Sequence, residues 1–163
     1  MCNPATGADP TLRVPEPIEL RWAFSVSIFF EERVLFATRT GTRGYVPVVR
    51  GDVWGPRLTG RVVPHSGADW AANGRINAHY MLQASDDSMI YMRNTGRMFR
   101  LDGKTAPPDD PTWEPSAPRY FRVTPEFDAP VGPHEWLSRT VFVGRGQRMP
   151  DPDRTIFDYF EVL

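Results

Sequence analysis

Apolar and polar residues alternate with a period of two through much of the chain. The clearest run is Leu20 to Phe30, with Leu20, Trp22, Phe24, Val26, Ile28 and Phe30 on one face and Arg21, Ala23, Ser25 and Ser27 on the other. Successive side chains of a strand point to opposite faces, so the run predicts one long strand with an apolar side. Further strands are predicted over Val34–Thr40, Tyr45–Val49, Arg57–Pro64, Arg75–Ser85, Met89–Thr95, Tyr120–Thr124, Glu135–Gly144 and Ile156–Leu163. In the Arg75 run, Ile76, Ala78, Tyr80, Leu82 and Ala84 oppose Asn77, His79, Met81 and Gln83. In the Met89 run, Ile90, Met92 and Asn94 oppose Tyr91 and Arg93.

Turn signals separate these runs. Thr40-Gly41-Thr42-Arg43-Gly44, Asn73-Gly74 and Asp86-Asp87-Ser88 are hairpin connections, and Gly60 inside a strand marks a bulge or sharp bend. The Gly41/Gly44 loop lacks the Lys-Ser/Thr of a phosphate cradle, and no helical pattern follows it. No segment carries a convincing helical period. About nine or ten sequential antiparallel strands solve their edge problem most simply by closing. The expected fold is therefore all-β, a single antiparallel β-barrel with a central cavity, lipocalin-like in shape; a sandwich is the alternative. Residues 1–17, with Pro4, Pro10, Pro15 and Pro17, read as a flexible arm. Residues 18–163 read as one domain interrupted by a Pro-rich loop at 103–119.

Composition narrows the function classes. A net charge of −1 and a pI near 6.3 give no electrostatic case for nucleic acid or anionic membranes. No apolar run is long enough to span a bilayer as a helix. The single cysteine, Cys2, cannot form an intramolecular disulfide, so nothing asks for an oxidising compartment and a cytoplasmic location is expected. The three histidines show no ligand spacing, so no metal is expected. There is no dinucleotide fingerprint and no nucleophile elbow, so no cofactor is expected.

Candidate chemistry gathers in Gly55–Gly96. Asp69, between Ala68 and Trp70, is either a carboxylate desolvated against an indole and able to move a proton, or an aspartate that shapes its turn. His79 is a natural general base at neutral pH if it faces the lumen, and a lone strand histidine is more often structural. Tyr91 with Arg93, Tyr120 with Arg122, and Arg139 beside Trp136 would clamp a carboxylate or an enolate oxygen if they line the cavity, and would form surface ion pairs if they do not. Trp70, Trp136 and Asn94 are candidate cavity wall. Trp113, in the Pro-rich loop, folds over an opening or anchors the loop. His65 and His134 read as solvated loop residues.

The run Gly55-Pro56-Arg57-Leu58-x-Gly60, Gly67-Ala68-Asp69-Trp70, the Tyr80 strand, Asp86-Asp87 and Ile90-Tyr91-x-Arg93-Asn94-x-Gly96, followed by Tyr120-Phe121-Arg122 with Pro125 and Phe127 and by Trp136-Leu137-x-Arg139, resembles the uncharacterised bacterial and fungal family called domain of unknown function 3237. The resemblance extends over roughly residues 20–163. It implies an antiparallel β-barrel that self-associates, a dimer being favoured, and no established general activity. The chain departs from the family pattern at Asn77, His79, Ser88 and Ser138. The expectation is a cofactor-independent enzyme of isomerase, cyclase or lyase type acting on a small apolar or aromatic carbonyl compound. In it Asp69, His79, Tyr91 and Arg93 are catalytic, and Trp70, Asn94, Tyr120, Arg122, Trp136 and Arg139 bind substrate. The alternatives are a non-catalytic small-molecule carrier and a structural, self-associating barrel with a packed lumen.

Overall fold

The fold was analysed in a computed structural model that describes residues 15–103, 119–149 and 151–163. Cys2, the N-terminal arm up to residue 14, and the Pro-rich loop from 104 to 118 with Trp113 lie outside the described residues.

Ten strands and one helical turn follow in order: β1 (Leu20–Phe30), β2 (Val34–Thr38), β3 (Gly41–Trp54), β4 (Gly60–Val62), β5 (Ala68–Asp69), β6 (Arg75–Ala84), β7 (Met89–Arg100), β8 (Arg119–Asp128), α1 (Trp136–Arg139), β9 (Phe142–Met149) and β10 (Arg154–Val162). Pairing runs β1-β10-β9-β8-β7-β6-β4-β3, and β3 returns to β1, which closes an antiparallel barrel of eight staves. The short β4 and β5 share one stave between β3 and β6. Strand β2 hangs on the edge of β3, with Val34, Leu35 and Phe36 between 46% and 55% exposed. No helix is long and apolar enough to cross a membrane among the described residues.

The lumen-facing rows follow the predicted alternation in β6 and β7, and β8 and β10 show the same alternation. Ile76, Ala78, Tyr80, Leu82 and Ala84 are buried on β6; Ile90, Met92 and Asn94 on β7; and Phe121, Val123 and Phe127 on β8. One end of the barrel is sealed. There Phe24, Phe127, Phe142 and Tyr159 pack edge-on or tilted, with ring centroids 5.2–6.3 Å apart. Leu58 and Leu137 close over them at 3% and 1% exposure. Beside this plug, the buried Glu161 takes Arg57 at 2.7 Å and Arg21 at 3.0 Å on one oxygen, and the Arg57 guanidinium lies 3.9 Å over the Trp136 ring. The opposite end carries the β2–β3 hairpin, the Asn73-Gly74 turn and the β9–β10 turn.

Several sequence expectations change. The β1–β10 register slips between Trp22 and Phe24. This bulge at Ala23 reverses the parity of the strand, so Trp22 leaves the apolar face. It is 42% exposed and donates from Nε1 to Ser25 Oγ at 3.1 Å. Tyr45–Val49 is only the middle of a single 14-residue strand. Arg57–Pro64 contracts to three residues, because Leu58 drops into the core and pulls the chain out of the ladder. The strand expected over Tyr120–Thr124 continues past Pro125 as the second half of β8. That half lies beyond the two residues, Arg122 and Val123, at which β8 pairs with β9, so the missing proline N–H interrupts no bond to that neighbour. Residues 135–144 do not form one strand. Turns from Gly132 to Glu135 and from His134 to Leu137 wind the chain into α1 first, because Trp136 and Leu137 are needed together over the barrel end. Arg145 to Arg148, beyond the strand end expected at Gly144, belongs to β9. His134 is not solvated: its side chain is 13% exposed and meets Asp86 at 3.0 Å, which ties the α1 segment to the β6–β7 turn.

Phe127 touches three other rings of the plug, whereas Phe99 stands on the outer wall at 55% exposure. Phe127→Ala is expected to lower unfolding free energy by about 3–5 kcal/mol and Phe99→Ala by at most about 1 kcal/mol, measured by urea denaturation.

Candidate functional site

Residues directly opposite each other in an antiparallel pair share a face. Asp69 lies opposite Val46 on β3 and Ala78 on β6, and Ala78 lies opposite Asn94 on β7. Ala78 belongs to the buried row of β6, so Asp69 and Asn94 both point into the lumen. Tyr80 is the next lumen residue on β6, and Tyr159 reaches in from β10, where its hydroxyl accepts from Asn94 Nδ2 at 3.0 Å. The result is a polar group, Asp69, Tyr80, Asn94 and Tyr159, set among apolar rows and distinct from the buried Glu161 at the sealed end.

Only Asp69 of the four keeps partial solvent access; the other three are at most 1% exposed. Its Oδ1 accepts from the Asn77 backbone N–H at 2.9 Å. Burial pushes its pKa from 3.8 up to about 6, and the Asn77 bond opposes that rise only in part. Burial also raises both tyrosines well above the usual phenol range, so they stay protonated. Tyr80 feels Tyr159 and the Asp69 charge, yet its hydroxyl makes no hydrogen bond of good geometry, and Asn94 Oδ1 is likewise buried without a donor. Buried polar atoms are seldom left unpaired, so these two oxygens mark unused bonding capacity next to an acid of raised pKa.

The other candidates fall outside the lumen. His79, Tyr91 and Arg93 sit on the outer wall of β6 and β7. There His79 Nδ1 meets the Tyr91 hydroxyl, His79 Nε2 lies 3.3 Å from Asn77 Oδ1, and Arg93 stands 4.0 Å from Glu126. Trp70 is 53% exposed and stacks on Tyr45 at 4.6 Å. Tyr120 and Arg122 face outward on β8, with Tyr120 stacked on Phe99. Trp136 packs on Phe142 at the sealed end, and Arg139 is solvated beside Glu135 at 3.3 Å. Asp69 and Asn94 are thus brought together, and the remaining eight are not. Tyr80 and Tyr159 were not singled out by sequence reasoning; the available signal was a hydroxyl on an otherwise apolar strand face. Among the described residues, no three His, Cys, Asp or Glu side chains converge as metal ligands.

Residues 18–162 match the family described as "Protein of unknown function (DUF3237)", and the chain belongs to that family. It is 31% identical over 134 residues to a UPF0311 protein of Rhodopseudomonas palustris, covering 76% of this chain and 82% of that protein. A β-barrel-like protein from Acinetobacter baumannii superposes with a TM-score of 0.75 at 24% identity, over 93% of this chain and 100% of that one. A structure described as an enzyme from Penicillium herquei gives a TM-score of 0.68 at 17% identity, over 93% and 98%.

The Asp69 shift has a definite sign. The unfolded chain titrates this carboxyl near 3.8 and the native one near 6. Below pH 3.8 it is protonated in both states and costs nothing. As pH rises towards 6 the native state holds more protons, so stability falls, by about 3 kcal/mol once both states are ionised. Asp69→Asn is expected to be about 3 kcal/mol more stable than the parent at pH 8 and equal to it near pH 3.5, measured by urea unfolding at both values.

Proposed function

We propose that this DUF3237 barrel is a cofactor-independent enzyme of isomerase, cyclase or lyase type, which moves a proton with Asp69 on a small apolar or aromatic carbonyl compound. The observation that carries the reading is the lumen-facing Asp69 carboxyl, with a pKa of about 6, in the same lumen as the Tyr80 hydroxyl and Asn94 Oδ1, neither of which makes a hydrogen bond of good geometry. A base of that pKa is largely ionised at neutral pH and still accepts a proton readily. Tyr80, held protonated, is a donor for oxyanion charge that develops near Asp69. Tyr159 and Asn94 are positioning residues that hold one another beneath it. The walls around Asp69, Val46, Ile76 and Ala78, are apolar and suit an apolar substrate. His79, Tyr91 and Arg93 take no part in the step, since they stand on the other side of the wall.

The Penicillium herquei protein of this fold is described as an enzyme, which is compatible with chemistry on such a barrel; a shared fold does not carry the activity over. A second reading, a non-catalytic carrier, draws on the apolar lumen rows around Asp69, which suit an apolar guest without any proton transfer. Self-association belongs to the proposal as well, supported by the open apolar edge of β2. So does a cytoplasmic location, supported by the single cysteine.

The test begins with native mass spectrometry of the purified protein to identify a co-purifying compound, followed by turnover assays on it. Asp69→Asn is expected to cut kcat about 10²–10⁴-fold. The parent is expected to gain activity with pH through an apparent pKa near 6, and Arg93→Met to leave activity unchanged. Unchanged turnover in Asp69→Asn overturns the catalytic reading. Loss of affinity with no turnover in any variant establishes the carrier.

A further inference from the structure

The outer wall of the barrel carries a feature unrelated to the lumen. Arg75 on β6 lies opposite Arg97 on β7, Arg97 opposite Arg122 on β8, and Arg122 opposite Arg145 on β9. All four are exposed, and each alternates with lumen residues, so one continuous cross-strand row of arginines points outward. With strands about 4.8 Å apart the row spans about 14 Å. Like charges directly opposite each other are unfavourable. Arg145 is relieved by Asp158 at 3.1 Å on the next stave. Arg75 and Arg97 have no carboxylate partner among the described residues. Arg122 donates to the Phe121 carbonyl at 3.0 Å and lies 5.1 Å over the Tyr120 ring.

The next outward position along β7 and β8 is the Phe99–Tyr120 pair, nearly parallel at 16° with centroids 4.8 Å apart, and 55% and 39% exposed. Planar aromatic surface thus stands immediately beside a line of guanidinium groups.

We infer that this stripe is a binding site for single-stranded nucleic acid. The phosphates lie along Arg75, Arg97, Arg122 and Arg145, and a base stacks on the open side of the Phe99–Tyr120 pair. Arginine suits phosphate because its planar fork donates two parallel hydrogen bonds. Stacking on an aromatic needs only the π-face that every base has, so the site reads no sequence. An acidic peptide satisfies the arginines but offers nothing planar for Phe99. The net charge of −1 is no obstacle, because it averages over the whole chain while the stripe concentrates positive charge on one wall.

The test is fluorescence anisotropy of a labelled twelve-residue oligothymidylate titrated with the full-length protein at 50 mM salt. Saturable binding is expected, weakening about 20-fold between 50 and 200 mM salt for three phosphates engaged. Arg97→Ser with Arg122→Ser is expected to abolish it while the protein still unfolds cooperatively on heating, since relief of like-charge repulsion offsets the lost Arg122 bond to the Phe121 carbonyl and its contact with the Tyr120 ring. Phe99→Ala is expected to weaken binding at least about fivefold, and Arg61→Ser, on another part of the wall, to leave it unchanged. No saturable binding at 50 mM salt overturns the inference. So does unaltered affinity in the double variant, or displacement by polyglutamate as effective as by unlabelled oligonucleotide, which identifies an acidic-polymer surface.

Discussion

Closure of the sheet is the constraint on which everything else rests. Strand β1 pairs with β10 on one edge and β3 on the other, and that double engagement turns a long sheet into a tube with an inside and an outside. The cost is tight backbone contact where staves meet. Gly51 shows it: a methyl group there would run into the Ser27 backbone carbonyl, where β3 meets β1. Once the tube is closed, each residue's chemistry is decided by parity. Asp69 and His79 are close in sequence and both polar, yet one faces a desolvating interior and the other meets a tyrosine on the outer surface.

Parity also explains how much was legible beforehand. The alternation in β6 and β7 was plain, and it correctly separated Asn94 from Tyr91 and Arg93. Alternation alone does not say which face is the inner one when apolar residues such as Met81, Met89 and Phe99 sit on the outer face too. The bulge at Ala23 has no sequence mark, because an inserted residue looks like any other. The helical turn at Trp136 was hidden because adjacent apolar residues satisfy either a strand buried on both faces or a short plug. Asp69 was legible as an acid in an apolar context. Its partners Tyr80 and Tyr159 come from strands far apart in the chain, and only the closed topology brings them together.

The interior divides its labour along the barrel axis. The sealed half is held by aromatic packing and by the Arg57–Glu161–Arg21 contacts, where a buried carboxylate is tolerated because two guanidinium groups face it. Beyond it lie Asp69, Tyr80 and Asn94, and the bonding of Tyr80 Oη and Asn94 Oδ1 is incomplete, as is that of Glu161 Oε1 in the plug. A fold made only for stability gains nothing from a desolvated carboxyl of raised pKa and two oxygens without good hydrogen bonds. Their cost is borne by the packing of the plug.

The sealed end also imposes a traffic rule. With Leu58 and Leu137 closing one mouth, any guest enters and leaves past the same rim. Arrival and departure cannot overlap, so each guest delays its successor. For the guest proposed above, exchange at saturation would be set by how long an occupant stays.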